Sequence, residues 1–197
     1  PPWRPDALAH AAYLPFRAML RNLMATSGGV RIDHILGLFR MWWVPQGMSA
    51  SDGSYVTFDH DALLNILSIE AALSGSIVVG EDLGTVAEYV QRELADRGLL
   101  GTSILWFEAG ANGEVLLPQH WRRNVLASVS VHDLPPTAGY LRDEHVRIRA
   151  ELGLLTGDPA VEYAHAASER TRWREVLVDH GWLAESVDVE SETGKDE

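Results

Sequence analysis

Three acidic residues follow short apolar runs at widely separated positions of this sequence. Asp33 follows VRI, Glu81 follows IVVG, and Asp133 follows VSVH. If each run is a strand of one parallel sheet, the acids lie where strands end, and neighbouring strand ends face the same crevice. Three carboxyl groups that are distant along the chain could then meet at one site.

The residues beside two of these acids favour different protonation states. Side chains alternate along a strand, so Arg31 and Asp33 face the same way, and the arginine favours an ionised aspartate. Glu81 shares a face with Val79, and a glutamate on an apolar wall near other carboxylates tends to keep its proton. A charged and a protonated carboxyl group form the pair that retaining glycosidic chemistry uses, in which one attacks and the other protonates the leaving oxygen.

Each of these residues also has a purely structural interpretation. Asp33 and Glu81 could be turn or capping residues. Asp82 is expected to be structural, because adjacent strand positions point to opposite faces. His34 and His132 could be hydrogen-bonding spacers rather than ligand-binding groups.

The tryptophans and the Asp–His steps also have more than one interpretation. Trp42 and Trp43 could belong to the core or form a platform beneath a sugar ring. Steps such as Asp33–His34 and His132–Asp133 suggest metal ligands, but no HxH or HExxH spacing accompanies them. We therefore expect no metal site. The absence of a GxGxxG pattern argues against a dinucleotide cofactor.

The elements that would position the acids follow from the apolar runs and their boundaries. Helices are predicted from Pro15 to the glycines at 28 and 29, from Asp59 to Gly75, from a Thr85–Glu88 capping box to Gly98, and from Asp158–Pro159 to near Gly181. Strands are predicted over Val30–Ile32, SIVVGED, TSILWFE and about Val125–Val131, and MWWVPQGMSASDGSYV is predicted as a long loop. This alternation predicts an α/β fold with right-handed parallel crossovers.

Composition narrows the class of protein. The 197 residues are 46% hydrophobic and 22% charged, which is normal for a globular domain. A formal net charge of −12 argues against a nucleic-acid partner, and no apolar stretch is long enough to span a membrane. The chain contains no cysteine, which excludes thiolate chemistry and is compatible with the cytoplasmic location that we predict.

Four ordered motifs resemble the amylomaltases, the 4-α-glucanotransferases or disproportionating enzymes related to α-amylases. The motifs are RIDHILGLFRMWWVP, VVGEDLGTV, GTSILWFE and SVHDLPPTAGYL. The resemblance implies part of a (β/α)₈ TIM-type barrel, roughly its fourth to seventh strands. It also implies a catalytic nucleophile at Asp33, a general acid/base at Glu81 and a transition-state stabiliser at Asp133.

The resemblance further implies the substrates and the substrate-binding residues. Arg31, His34, Trp43 and His132 are the expected sugar-binding positions. Donors would be α-1,4-glucans and maltooligosaccharides, and acceptors would be glucose or maltooligosaccharides, with no cofactor or metal required. The LPPT stretch after Asp133 departs from the more polar step that many relatives have before the threonine.

A complete barrel of this type takes about 250 residues or more. We therefore expect residues 1–183 to be a partial (β/α)₈ catalytic domain and residues 184–197 an acidic tail or truncated linker. The isolated piece is expected to be inactive. Two alternatives to a glucanotransferase stay open: an α-glucan hydrolase, which uses the same acids with water as acceptor, and a non-catalytic α-glucan-binding fragment.

Overall fold

A computed structural model describes residues 3–111 and 113–186. The described helices are α1 (Pro5–His10), α2 (Leu14–Met24), α3 (His60–Ser74), α4 (Glu88–Asp96), α5 (Thr137–Leu141), α6 (Glu144–Glu151) and α7 (Pro159–Asp179). The described strands are β1 (Gly29–Ile32), β2 (Arg40–Trp43), β3 (Ser54–Thr57), β4 (Ile77–Gly80), β5 (Gly101–Ile104) and β6 (Val125–Ser128). The predicted acidic tail lies outside the described residues from position 187 onward.

The chain divides into two compact units. The first runs to Ser103 and also includes Arg122–Ala127. The second contains Ile104–Trp121 and the described chain from Ser128 onward. Two of the three predicted catalytic acids therefore lie in the first unit, and the third lies in the second.

The parallel arrangement predicted for the first unit is present. β1 and β4 are parallel neighbours, with Ile32 in register with Gly80. Leu100, directly before β5, forms a parallel bridge with Val79 of β4, and β5 lies beside β6. Because β1 and β4 run in the same direction and in register, the residues that follow them emerge at one edge of the sheet.

The core of the first unit packs helices against these strands. Phe16, Leu20 and Met24 are buried on α2, and their spacing of four residues places them on one face of the helix. Leu64 and Leu67 of α3 belong to the same cluster. Full burial of each large apolar side chain contributes about 1.5–3 kcal/mol. The helix α2 ends at Met24, four residues before the predicted stop at the paired glycines.

The helix boundaries at Asp59 and Asp158 were predicted correctly. Asp59 Oδ1 accepts a hydrogen bond from Ala62 N–H at 3.0 Å, and Asp158 Oδ1 accepts one from Ala160 N–H at 2.9 Å. Gly75 ends α3 with a φ of +67°, a left-handed conformation that glycine adopts without steric cost. These boundaries depend on side chains close in sequence to the helix ends, so they can be predicted from the sequence.

The predicted capping box at Thr85–Glu88 was wrong. The helix α4 begins at Glu88 itself, Ala87 occupies the capping position, and no side chain caps the helix. A turn closed by a hydrogen bond from Val86 N–H to Gly84 O precedes the helix. Glu88 is therefore the first helical residue rather than the third, so the two side chains of the box cannot reach each other's backbone.

The predicted long loop between residues 41 and 56 is largely a hairpin. β2 and β3 pair antiparallel with Trp42 opposite Tyr55, and their rings meet edge to face at 4.9 Å. Trp42 Nε1–H donates to Ala50 O at 3.0 Å, which ties the connecting turn to the strand. The glycines and the proline that predicted a loop lie in this connection, and β-forming aromatic residues pair on either side of it.

The strands predicted in the second half are shorter than expected. β5 ends at Ile104, after which Leu105–Phe107 form a 3₁₀ turn. β6 ends at Ser128, three residues before the predicted end at Val131. Beyond it, a hydrogen bond from Leu134 N–H to Val131 O closes a turn, and the two prolines that follow have no N–H to continue a ladder.

The second unit contains a stack of three aromatic rings. Trp106 lies 4.3 Å from Tyr140, and Tyr140 lies 4.6 Å from His145, measured between ring centroids. The Tyr140 hydroxyl donates to Glu169 Oε2 at 2.7 Å, and burial raises the pKa of Tyr140. Of the helices in the described part of the chain, not one combines the length and apolar character needed to cross a membrane.

Glu70 of α3 is a buried carboxylate held by two arginines of α2. Its Oε2 lies 2.7 Å from Arg21 Nε, its Oε1 lies 3.3 Å from Arg17 Nε, and its side chain is 3% exposed. The hydrogen bond from Arg21 lowers the pKa of Glu70, although desolvation acts in the opposite direction. The pair joins two helices of the core through charge as well as packing.

This arrangement predicts a pH-dependent contribution to stability. A lowered folded-state pKa means that ionised Glu70 stabilises the fold above its ordinary pKa of 4.5, and that this stabilisation is lost as the pH falls through the folded value. We expect Glu70→Gln to lower the thermal midpoint at pH 7 and to differ progressively less from the parent below pH 4.5. Circular dichroism melts of the chain test this, with exposed Glu175→Gln as the control. A difference that is the same at every pH would contradict the prediction.

Candidate active site at the ends of β1 and β4

Asp33 directly follows β1 and forms an ion pair with the arginine two positions earlier. Arg31 Nη2 lies 2.9 Å from Asp33 Oδ1, so the two side chains share a face of the strand as the alternation predicted. The Asp33 side chain is 46% exposed, which leaves a charged carboxylate accessible to a ligand.

Glu81 directly follows β4 and is much more enclosed, with a side chain that is 10% exposed. Leu83 N–H donates to Glu81 Oε1 at 2.8 Å, and His34 N–H donates to Glu81 Oε2 at 2.9 Å. Backbone bonds join the same segments, because Glu81 N–H donates to Ile32 O and Ile35 N–H donates to Glu81 O. The carboxylate is thus held in one orientation by two peptide groups from different strand ends.

His34 lies between the two acids. Its Nδ1 is 3.3 Å from Glu81 Oε2, and its Nε2 is 3.6 Å from Asp33 Oδ2. The structure therefore brings together four of the predicted site residues, because Arg31 contacts Asp33 and His34 contacts both carboxylates. A single imidazole ring spans the space between the predicted nucleophile and the predicted acid.

Asp82 serves a different purpose from its neighbour Glu81, as the alternation of strand side chains predicted. Its fully buried carboxylate forms a two-point ion pair with Arg122, at 2.6 and 2.9 Å. Thr102 N–H donates to Asp82 Oδ1 at 2.9 Å. This network ties the end of β4 to β5 and to the segment before β6, and so supports the backbone that carries Glu81.

Two glycines make this packing possible. A Cβ atom on Gly80 would lie 2.9 Å from Ile35 Cγ1, so the space beside Gly80 is filled by Ile35. A Cβ atom on Gly101 would lie 2.3 Å from Arg122 Nη2. Arg122 is a supporting residue that the sequence did not predict; its only signal is an arginine shortly before a predicted strand.

His132 and Asp133 lie in an exposed turn of the second unit. Three residues separate the turn from β6, because the ladder stops at Ser128. Their predicted roles as a sugar-binding residue and a transition-state stabiliser therefore stay predictions.

A cavity of about 430 Å³ borders Asp33 and His34 in the first unit. Its wall is mainly apolar and includes Trp3, Met41 and Phe58. Trp43 does not line it, so the cavity does not bring this predicted substrate-binding residue to the acids. The indole Nε1 of Trp43 is buried and has no hydrogen-bond partner in the described part of the chain.

Among the described residues, His60, Asp61 and Glu93 form a group of potential metal ligands. Arg97 forms ion pairs with both carboxylates, one of them at 2.6 Å to Asp61 Oδ1. The cluster is accordingly explained by neutralisation within the protein, and it lies apart in sequence from the acids at the strand ends.

Comparisons with known proteins place this arrangement in a family. The 4-alpha-glucanotransferase family model matches residues 1–195. A 4-alpha-glucanotransferase of Mycobacterium tuberculosis is 50% identical over 196 residues, which are 98% of this chain and 27% of that protein. A 4-alpha-glucanotransferase of Haemophilus influenzae is 37% identical over 158 residues, which are 80% of this chain and 22% of that protein.

The solved structures agree with the sequence relatives. The amylomaltase from Corynebacterium glutamicum matches 96% of this chain with a TM-score of 0.88 and 43% identity, over 28% of its own length. The amylomaltase from Streptococcus agalactiae in complex with acarbose matches 82% of this chain with a TM-score of 0.62 and 21% identity, over 34% of its length, which supports the fold alone.

These matches confirm the predicted fold class, a mixed α/β structure that is part of a (β/α)₈ barrel. The chain spans about a quarter of the length of the curated relatives that it matches. The family match extends over nearly the whole sequence and includes all the motifs that hold the acids. This chain belongs to the 4-alpha-glucanotransferase family.

Proposed function

We propose that this chain supplies the catalytic carboxylates of a 4-α-glucanotransferase, which moves α-1,4-glucan segments between maltooligosaccharides by a retaining double displacement. The observation that carries the proposal is the placement of Asp33 and Glu81 at the ends of two adjacent parallel strands, with His34 in contact with both. Asp33 is exposed and paired with an arginine, whereas Glu81 is enclosed, as a nucleophile and an acid/base respectively require.

In the first step, Asp33 attacks the anomeric carbon of the donor while Glu81 gives its proton to the departing glycosidic oxygen. The bond from the anomeric carbon to that oxygen breaks, and an ester to Asp33 forms with inversion. In the second step, ionised Glu81 takes the proton of the acceptor's 4-hydroxyl, whose oxygen displaces Asp33. The second inversion restores the α configuration and leaves Glu81 protonated again.

The other predicted residues have supporting roles in this scheme. Arg31 pairs with Asp33 at 2.9 Å and so orients the attacking carboxylate. Asp133 stabilises positive charge at the anomeric carbon in the transition state, and His132 and Trp43 bind sugar rings. The scheme uses no metal or cofactor. Glucose and maltooligosaccharides are its acceptors, and maltooligosaccharides and α-1,4-glucans its donors.

The test places the chain in a complete barrel. The segment of the Corynebacterium glutamicum amylomaltase that matches this chain is replaced by these 197 residues, and the product is here termed the grafted enzyme. We expect the grafted enzyme to convert maltotriose into glucose and longer oligosaccharides. Shortened products alone would favour the α-glucan hydrolase, and glucan binding without turnover would favour the non-catalytic alternative.

The same assay applied to the 197-residue chain alone is expected to show no turnover. A partial barrel leaves strand edges and apolar faces uncovered, and the loops that enclose a substrate come from several strands of a barrel. The catalytic parent amylomaltase is the positive control for both assays. Measurable disproportionation of maltotriose by the isolated chain would contradict this prediction.

A further inference from the structure

His34 has a backbone conformation that is uncommon for residues other than glycine. Its φ is +48° and its ψ is +57°, in the left-handed region. For a residue with a Cβ atom this conformation costs about 1–2 kcal/mol. It persists here where the peptide N–H of His34 donates to Glu81 Oε2 at 2.9 Å, directly after the last paired residue of β1.

The His34 side chain adds a second connection between the acids. The ring nitrogens lie 3.3 Å from Glu81 Oε2 and 3.6 Å from Asp33 Oδ2. The side chain is 82% exposed, so burial does not hold the ring in place. The two described contacts of the ring with carboxylates connect it to both predicted acids.

From these contacts we infer that His34 is a positioning residue, whose left-handed backbone orients Glu81 and whose ring sets the spacing between Glu81 and Asp33. The inference deepens the proposed function and rests on it. It differs from a sugar-binding role, because a sugar-binding side chain acts on the substrate, whereas this residue acts through the two carboxylates.

The backbone and the ring can be separated by two substitutions. His34→Gly removes the ring but keeps a peptide N–H in a conformation that glycine adopts freely. His34→Val also removes the ring, and its branched Cβ disfavours a positive φ, so the N–H leaves Glu81. The difference between the two variants therefore measures the contribution of the backbone.

Steady-state kinetics of the grafted enzyme give the first readout. General acid catalysis by a well-placed group contributes about 10²–10⁴-fold, so His34→Val is expected to lower kcat for maltotriose about 100-fold and His34→Gly about 10-fold. KM is expected to change less than about twofold, because ground-state binding is untouched. A rise in KM at constant kcat, or equal losses in the two variants, would overturn the inference.

A donor that needs no protonation gives the second readout. When α-maltosyl fluoride is the donor, the bond from the anomeric carbon to fluorine breaks, the ester to Asp33 forms, and fluoride leaves without taking a proton. The burst of fluoride release in the first turnover thus reports attack by Asp33 without help from Glu81. We expect this burst rate to fall less than about fivefold in His34→Val, against about 100-fold for maltotriose.

Two further variants separate this inference from the proposed function. Ala12→Val places a branched residue at another exposed position of positive φ, +49°, and is expected to leave kcat unchanged. Glu81→Gln must itself slow maltotriose far more than the fluoride burst. If Glu81→Gln slows both donors equally, the proposed function fails. If only Glu81→Gln discriminates and His34→Val does not, the positioning role of His34 alone is overturned.

Discussion

Asp33→Asn in the grafted enzyme is expected to lower kcat for maltotriose disproportionation on the order of 10⁴-fold. An amide is nearly the same size as a carboxylate but cannot form the ester to the anomeric carbon, so the double displacement loses its first step. At about 1.36 kcal/mol per decade, this loss corresponds to about 5 kcal/mol of transition-state stabilisation. A non-catalytic glucan-binding function predicts no such loss.

Two controls accompany this substitution: the thermal stability of the variant and the same change at an exposed aspartate of α4. Asp33 is partly exposed, and its ion pair with Arg31 is of the surface type, which contributes about 0–1 kcal/mol to stability. The variant should therefore fold, and its thermal midpoint should stay close to that of the parent. Asp96→Asn, the same chemical change at an exposed position of α4, should retain full activity. If kcat for maltotriose fell less than tenfold in Asp33→Asn, Asp33 could not be the nucleophile.

Arg122→Ala is expected to produce the largest loss of local stability in the first unit. The substitution leaves the Asp82 carboxylate buried without its cation, and breaking a buried pair from one side typically costs about 3–5 kcal/mol. The Arg122 side chain is 34% exposed, so water can partly compensate, and we expect about 3 kcal/mol. Since Thr102 N–H donates to Asp82, hydrogen exchange at the Thr102 amide should accelerate about 100-fold in the grafted enzyme.

Two control variants test the stated cause. Arg123→Ala removes the same charge from the exposed neighbouring position and should leave exchange at Thr102 within about twofold of the parent. The double substitution Asp82→Asn with Arg122→Met removes both charges and leaves no unpaired buried ion. It should therefore lose less local stability than Arg122→Ala alone. Equal acceleration in Arg122→Ala and Arg123→Ala would show that the buried pair does not hold the end of β4.

The ion pair between Asp82 and Arg122 is also expected to affect kcat. Asp82 is joined to Glu81 by one peptide bond, and its contacts hold the strand end from the side opposite the active site. We therefore expect Arg122→Ala to lower kcat as well, although Arg122 contacts neither the predicted nucleophile nor the predicted acid. The fluoride burst should be affected less than the turnover of maltotriose, because Glu81 is the group whose orientation is disturbed.

Much of the candidate active site could be predicted from the sequence because its signals are local. A short run of β-branched residues predicts a strand, the next polar residue marks its end, and alternation assigns Arg31 to the same face as Asp33 and Asp82 to the face opposite Glu81. The caps at Asp59 and Asp158 are equally local, since a side-chain oxygen reaches a backbone N–H two or three residues away.

Several features that the sequence did not reveal depend on partners distant along the chain. Arg122 pairs with Asp82 across 40 positions, and the hairpin of β2 and β3 forms only when two aromatic segments pair across their turn. The end of β6 depends on whether a ladder partner is available, not on the apolar residues that continue beyond Ser128.

By itself, the sequence determined that Asp33 and Glu81 follow parallel strands at the same end, because residue type and periodicity indicate where each strand stops. Tertiary structure alone decided that His34 takes a left-handed backbone and lies between Asp33 and Glu81, and that Arg122 neutralises Asp82. The physical reason is that one backbone conformation or one ion pair is selected by the sum of contacts from segments that meet only after folding. The pattern of neighbouring residues in the sequence does not predict that sum.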